Sequence, residues 1–330
     1  MDEYIHLTLN MNRVQHTHIE DAWKVLLKSF NHTLIPIEAN DLELALRECI
    51  QLIQIAEALQ CVEIVGIQLE ASLLKYGQVL FRRIQINPAP LMNMAFRLRS
   101  ELIFRECIVH LVGTWNSVKE HESVKNAVDQ TPGAKQLIEK YHGYLQERCR
   151  KLENDIVNEF PGDMARPQNC DIPVKSEIYG KDILLWMALT FFKNWFGAQL
   201  VNCRGYVSLD GGYALYRELA AGRDGYLNRS TVTQFYVQFP ITRRSQSIIQ
   251  SHLNTIKDWM QAEIVKKTGI MDSCCQLNVL QYPVDYLTCT QFERNDYPWI
   301  AGEGMNHVVE GMASDSPQGI QGEDNTGTDN

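Results

Sequence analysis

The chain has 330 residues, a formal net charge of −9 and a pI near 5.5, and 45% of its residues are hydrophobic. This length allows two domains with a sizeable core, and the composition excludes global disorder. The basic residues are scattered along the chain, so nucleic acid is excluded as an expected partner.

Membrane insertion and secretion are not expected either. Residues Met1 to Arg13 hold no continuous apolar stretch, and the longest apolar run, Ile183 to Phe192, is shorter than the roughly 18 to 20 residues that cross a bilayer. We therefore expect an intracellular protein, in the cytoplasm or nucleus, without a membrane partner. The nine cysteines form an odd set without a C-x-x-C pair, which predicts reduced core residues.

The first predicted elements are a short edge strand at residues 4–9, where apolar and polar residues alternate, and a helix that follows it. Thr17 and Glu20 have the spacing of a capping box, so this helix is expected to begin there and to end near residue 30. Its apolar face carries Ile19, Trp23, Leu26, Leu27 and Phe30.

Two further helices are predicted from Leu42 to about Leu59 and from Glu63 to Tyr76, because apolar residues recur there at three- and four-residue steps. Gly77 is placed to end the second helix with a positive φ. Pro88 and Pro90 suit the first turn of another helix. In the helix from Glu63 the expected buried residues are Ile64, Ile67, Leu69, Ala71 and Leu74.

Helical spacing continues to Trp115, and a polar stretch through Thr131-Pro132-Gly133 then interrupts it. One long helix is predicted over residues 134–160, and residues 161–176 are expected to be a linker. Beyond this linker, residues 177–203 are rich in aromatic side chains and are predicted to form the central helix of a second core.

Asp210-Gly211-Gly212 precedes a short predicted helix from Tyr213 to Ala221. The strand, the lysine and the hydroxyl residue of a phosphate-binding loop are missing there, so we expect a turn at a helix start. A further long helix over residues 248–264 is expected to end at Gly269. Residues 301–330 contain no Lys or Arg and are predicted to be a disordered acidic tail.

Six short segments deserve comparison with known families: Ala22-Trp23-Lys24-Val25-Leu26-Leu27, Ala56-Glu57-Ala58-Leu59-Gln60-Cys61, Ala95-Phe96-Arg97-Leu98-Arg99-Ser100, His110-Leu111-Val112-Gly113, Trp195-Phe196-Gly197 and Gly211-Gly212-Tyr213. The first two resemble the closing helices of a BTB/POZ domain. The next two are similar to the helical region that follows this domain in fungal BTB proteins, and the last two to the C-terminal part of that group.

This resemblance implies a domain plan and a fold class. Residues 1–86 would be a partial BTB/POZ-like helical region, 87–160 a helical extension and 177–300 a second mainly helical domain. The expected fold is mainly α, with C-terminal helices of a BTB/POZ-like domain followed by helical bundle regions and the disordered tail. The front half of the BTB fold has no counterpart, which implies a late start of the gene model or a truncated family member.

The function that the resemblance implies is a non-enzymatic protein–protein interaction module, an adaptor for a cullin ubiquitin ligase. Its expected partners are proteins, a cullin or a second copy of the chain. The expected interaction surface is the helix with Trp23, Leu26, Leu27 and Phe30, together with the helix pair of residues 41–76. Two alternatives stay open, which are an enzyme whose site is assembled only in three dimensions and an inactive, truncated gene product.

No catalytic residue, metal ligand or cofactor is expected from the sequence. His16 and His18 lack a third ligand nearby, and the vicinal pair Cys274-Cys275 more often packs one side chain inward than acts as a redox switch. The chain contains neither G-x-S-x-G nor H-E-x-x-H.

Overall fold

Helices form most of the described part of the computed structural model, which comprises Trp23, residues 41–158, Phe160, Gly180 and residues 182–300, without the side chains at 265 and 266. No strand occurs among these residues, so the prediction of a mainly α chain is confirmed. The described residues up to Gln291 belong to one compact unit, and those from Phe292 onward belong to a second.

The α-helices of the described residues are numbered here in chain order. A π-helix, Glu263–Lys267, directly follows the last α-helix, which ends at Ala262. The helices are α1 Leu42–Ala58, α2 Val62–Leu74, α3 Gln78–Ile86, α4 Pro88–Leu98, α5 Glu101–Val118, α6 Glu122–Asp129, α7 Ala134–Asn158, α8 Ile183–Val201, α9 Tyr213–Ala221, α10 Arg229–Gln238 and α11 Arg243–Ala262.

Several predicted elements lie outside the described residues. These are the edge strand at 4–9, the N-terminal helix apart from Trp23, the linker at 161–176 and the tail at 301–330. Trp23 itself is helical and exposed. The domain boundaries inferred from the sequence therefore stay predictions.

The helix starts of the first half follow local chemistry that the sequence displays. The Asp41 side chain accepts a hydrogen bond from the Glu43 N–H at 2.8 Å and caps α1. Pro88 opens α4, where a missing N–H costs nothing, and the Ser100 hydroxyl caps α5 by accepting from the Ile103 N–H at 3.2 Å. The predicted positive φ of Gly77, after α2, is confirmed at 51°.

The buried face of α2 differs from the predicted one. Ile64, Ile67 and Ala71 are exposed, whereas Val65 and Gly66 are buried, together with Leu69, Ser72 and Leu73. Apolar residues are spread around most of the helix, so hydrophobic periodicity alone does not select a face. Gly66 does select it, because a Cβ there would lie only 2.9 Å from the carbonyl oxygen of Leu98 at the end of α4.

A short helix, α6, occupies part of the stretch that the sequence pattern treats as a polar interruption. Its buried side chains, Val124 and Val128, are one turn apart and pack toward α4 and α7. Two valines in eight residues give too weak a periodic signal to predict a helix.

Helix α5 is the most deeply buried helix of the first group, α1 to α7. Eleven of its residues are buried, and it packs against α3, α4 and α7. In the second group, α8 and α9 pack against α11. Asp210 accepts hydrogen bonds from the N–H groups of Gly212 (3.0 Å) and Ala214 (2.8 Å), which confirms the predicted turn at the start of α9.

Irregular segments from the second half of the chain contact α5 and α7. Glu153 of α7 accepts hydrogen bonds from the Tyr206 N–H at 2.7 Å and the Tyr216 hydroxyl at 2.6 Å through one carboxylate oxygen. Arg148, also on α7, donates to the carbonyl oxygen of Thr268 at 2.8 Å. The segment of residues 270–291, called the C-terminal strap below, lies against α5, where Gly113 leaves room for Tyr286 and Leu287.

Replacing Gly113 by alanine should destabilise the protein. The added methyl group would lie 2.7 Å from Cδ2 of Tyr286 and closer still to the Leu287 carbonyl oxygen, so the strap must move. We expect the free energy of unfolding to fall by about 1 to 3 kcal/mol, measured by urea denaturation of the full chain.

Gly143→Ala is the matched control for this experiment. Gly143 lies within α7 and a Cβ there meets nothing within 4 Å, so alanine should raise the free energy of unfolding by up to about 1 kcal/mol through its better helix propensity. Equal effects of the two substitutions would contradict the close approach of the strap to α5.

Candidate functional site

Two polar side chains lie on the buried face of α5. Glu106 and His110 are one helical turn apart, and their side chains are 1% and 0% exposed. Their neighbours on the helix, Cys107 and Leu111 among them, are apolar core residues. Buried polar groups of this kind need partners, and the strap supplies them.

Two side-chain atoms converge on one ring nitrogen of His110. Its Nε2 lies 3.4 Å from Oε1 of Glu106 and 3.9 Å from Sγ of Cys275 on the strap. Together the three ligand-type atoms lie within 4.8 Å of one another. We call Glu106, His110 and Cys275 the Glu-His-Cys cluster.

The second ring nitrogen of His110 is held from the opposite side. Its Nδ1 is 2.9 Å from the hydroxyl oxygen of Tyr286, and the two rings meet edge to face with centroids 5.9 Å apart. Burial raises the pKa of the Tyr286 hydroxyl, so this group stays protonated at neutral pH. The hydrogen bond fixes the plane of the imidazole.

Glu106 also binds the backbone of the strap. One carboxylate oxygen accepts from the Gln276 N–H at 2.7 Å, and the other accepts from the Leu277 N–H at 3.0 Å. The Gln78 side chain continues this contact, since it donates to the Gln276 carbonyl oxygen at 3.0 Å and accepts from the Asn278 N–H at 2.7 Å. The carboxylate is thus oriented by two backbone donors.

A cysteine beside a histidine invites comparison with nucleophilic catalysis, and the geometry argues against it. In a catalytic triad the acid holds the ring nitrogen that faces away from the nucleophile. Here Glu106 lies at the same nitrogen as Cys275, and Tyr286 holds the other. Burial, followed by the charge of Glu106, raises the pKa of the Cys275 thiol to about 12, whereas a nucleophilic cysteine has a lowered pKa.

A cavity of about 600 Å³ adjoins this cluster. Most of its wall comes from α3 to α6, with apolar side chains such as Met94 and Leu111, while His110 and Tyr286 also reach it. The side-chain oxygen of Asn87, in the same wall, has no hydrogen-bond partner in the described part of the chain. A cavity of this size can hold a small, mainly apolar molecule.

A second candidate surface is aromatic and lies on α8 and α10. The rings of Phe191 and Phe235 stack with centroids 4.4 Å apart, and Phe239, one turn after Phe235, follows at 4.9 Å. Phe239 is 51% exposed, and the other two rings are half-buried. We call Phe191, Phe235 and Phe239 the aromatic patch.

The helix that carries Phe191 is less buried than the sequence predicts. Apolar residues are spread around most of helix α8, yet few of them are buried. The buried residues are Ala188, Leu189, Phe192 and Phe196. Phe192 and Phe196 do form core contacts, which agrees with the predicted second core. The remaining apolar side chains keep part of their surface in contact with water.

The residues that the sequence analysis names as a binding surface are only partly described. Trp23 is exposed, and Leu26, Leu27, Phe30, His16 and His18 lie outside the described residues. Of the predicted helix pair, α1 and α2 do pack together and expose Leu44 and Ile67. That surface stays a prediction.

The Glu-His-Cys cluster is the feature that the sequence analysis misses. The sequence predicts one inward and one outward side chain for Cys274 and Cys275, whereas both are half-buried. Burial therefore does not single out Cys275 as the member of the cluster. A usable signal exists, because Glu106 and His110 are two polar residues at helical spacing within an apolar helix face. The third member is 165 residues away in the sequence and leaves no local pattern.

The cysteines of the described residues are all free. The prediction that they are core residues holds for Cys49, Cys107, Cys149 and Cys289, which are buried, but not for Cys203, which is exposed. In the same part of the chain, no helix combines the length and the apolar character that crossing a membrane requires.

A comparison with protein families links the second half of the chain to a known domain. The family model for the fungal FF domain matches residues 161–267, about a third of the chain. FF domains are helical protein-binding modules, and the matched range includes α8 to α11 and the aromatic patch. No curated protein and no solved structure matches the chain.

This finding corrects the resemblance to BTB/POZ proteins, which is wrong. The family model that matches describes an FF domain, and two of the segments that suggested a BTB protein, Trp195-Phe196-Gly197 and Gly211-Gly212-Tyr213, fall within the matched range. Paired leucines and an aromatic residue on an amphipathic helix satisfy the packing needs of many helical domains. Such short segments therefore cannot distinguish one helical family from another.

The geometry of the cluster predicts an unreactive Cys275. After removal of metal ions with a chelator, the native protein at pH 7.5 should be alkylated by iodoacetamide at the exposed Cys203, while Cys275 stays unmodified because its thiol is half-buried and protonated. Mass spectrometry of peptides identifies the modified residues, and denatured protein serves as the control in which both react. Rapid alkylation of native Cys275 would instead favour a nucleophilic site.

Proposed function

We propose that this protein binds a partner polypeptide through the aromatic patch of its FF-like region. The match of residues 161–267 to a family of protein-binding modules is the observation that carries the proposal. The proposed activity has no catalytic step.

The distribution of apolar surface on α8 and α10 supports this proposal. A helix that is apolar all round is normally enclosed on all sides, whereas α8 keeps exposed apolar side chains at both of its ends, Ile183 and Val201. Between these ends, Phe191 stacks on Phe235 of α10, and Phe235 in turn contacts Phe239. Exposed apolar groups that touch one another mark interaction sites more often than scattered ones do.

Aromatic rings suit such a site energetically. They bury a large area with few rotatable bonds, and aromatic residues are enriched among the side chains that carry most of the binding energy at interfaces. The three rings of the patch already hold one another in place, so little side-chain entropy is lost when a partner covers them. The partner should present apolar side chains to this patch.

The earlier inference of a cullin partner depended on the BTB/POZ resemblance and is dropped with it. Association with a second copy of the chain is the main alternative to a different partner. The two are distinguished by the mass of the purified chain in solution, measured by light scattering.

Replacing Phe239 by serine should remove partner binding without unfolding the protein. Because this ring is half-exposed, its loss costs little internal packing but deprives the patch of its most accessible member. We expect the dissociation constant to rise 10- to 100-fold, which corresponds to a loss of roughly 1.4 to 3 kcal/mol of binding free energy, as at an interface hot spot. The measurement begins with cross-linking of the tagged full chain in its host and quantitative mass spectrometry, followed by calorimetry with the partner found.

Val237→Ser is the matched control, because Val237 lies on α10 two residues after Phe235, and thus on a different face of the helix, and is 79% exposed. The partner should be retained by Val237→Ser and lost by Phe239→Ser, with the same melting temperature for both. If no protein follows this pattern, the patch is not the binding surface.

A further inference from the structure

We propose that the Glu-His-Cys cluster binds a divalent transition-metal cation, with Zn²⁺ as the best fit. The ligand atoms are Oε1 of Glu106, Nε2 of His110 and Sγ of Cys275. This site is separate from the aromatic patch and does not depend on partner binding.

The spacing of the atoms fits metal coordination better than hydrogen bonding. With Zn–N and Zn–O distances of about 2.05 Å and a Zn–S distance of about 2.3 Å, tetrahedral geometry places N and O roughly 3.3 Å apart and N and S roughly 3.6 Å apart. The observed separations are 3.4 Å and 3.9 Å. A hydrogen bond from the ring N–H to the carboxylate would be shorter, about 2.7 to 3.2 Å.

The chemical types of the ligands point to the same class of ion. Thiolate sulfur and imidazole nitrogen select zinc and its neighbours over calcium or magnesium, which require oxygen ligands. Three protein ligands leave a fourth position, which water occupies in many zinc sites.

The surroundings of the cluster orient its ligands as in known metal sites. A metal-binding histidine usually has its other ring nitrogen held by a hydrogen bond, and Tyr286 holds Nδ1 of His110 at 2.9 Å. The backbone N–H groups of Gln276 and Leu277 fix the carboxylate of Glu106. These contacts align Oε1 and Nε2 before an ion binds.

Charge balance favours an ion at this place. A carboxylate as buried as Glu106 is costly unless a positive charge or several donors compensate it, and its neighbour His110 is charged only when protonated. Binding of Zn²⁺ releases the thiol proton of Cys275 to solvent and forms the Zn–S bond. The carboxylate, the thiolate and the divalent cation then form a group without net charge.

A bound ion would join the strap to α5, because Cys275 is the ligand that the strap supplies. Ligands that are far apart in the sequence come together only in the folded chain, so the ion stabilises that state. Metal binding should therefore raise the melting temperature of the protein.

The test uses the full chain with a tag that does not bind metals. Elemental analysis should find one zinc per chain in the wild-type protein and in the control Cys274→Ser, and none in Cys275→Ser. After replacement by Co²⁺, the wild type should show a thiolate-to-cobalt charge-transfer band that Cys275→Ser lacks. After chelator treatment, added Zn²⁺ should raise the melting temperature of the wild type and of Cys274→Ser, but not that of Cys275→Ser.

A second variant keeps the proposal testable should Cys275→Ser fold poorly. Tyr286→Phe removes only the hydroxyl that orients His110, and it should raise the zinc dissociation constant by about 10- to 100-fold while leaving the cobalt–thiolate band in place. A well-folded wild type without stoichiometric metal, whose melting temperature is unchanged by excess Zn²⁺, overturns the proposal. Equal zinc content in wild type and Cys275→Ser does so as well.

Discussion

The buried carboxylate of Glu106 is the interaction on which the placement of the strap depends. The strap has neither helix nor strand, so its buried backbone groups cannot satisfy one another in a regular ladder. Glu106 accepts from two successive N–H groups, and the Gln78 side chain pairs with the next donor and with a carbonyl. An unmade hydrogen bond at such a place costs about 1 to 3 kcal/mol.

The same solution recurs on α7. Glu153 accepts hydrogen bonds from the Tyr206 N–H, which precedes α9, and from the Tyr216 hydroxyl within α9. Arg148 donates to the carbonyl oxygens of Thr268 and Cys289. Burial raises the pKa of the Glu153 carboxyl, because a charged carboxylate loses hydration at this place. Polar side chains on α5 and α7 thus hold irregular segments from the second half of the chain against the first group of helices.

The helices themselves could be predicted where local chemistry marks their ends. Asp41, Pro88 and Gly77 each act at a helix end through local chemistry, and the sequence displays them directly. The buried face of α2 could not be predicted, because Gly66 selects it through a contact with Leu98, 32 positions further along the chain. The Glu-His-Cys cluster escaped prediction for the same reason, since Cys275 reaches α5 only through the fold.

Helix α8 shows where a sequence leaves the assignment of function open. An apolar side chain is favoured at a buried position whether its own chain or another protein covers it, because the free energy of removing apolar surface from water is the same in both cases. Hydrophobic periodicity therefore predicts that Phe191 and Phe192 are covered, but not by what. The structure distinguishes the two residues. Phe192 packs against Phe196 and Tyr226 inside the chain, whereas Phe191 joins rings that remain half-exposed. The difference between adjacent residues of one helix is what turns a predicted core into a candidate interface.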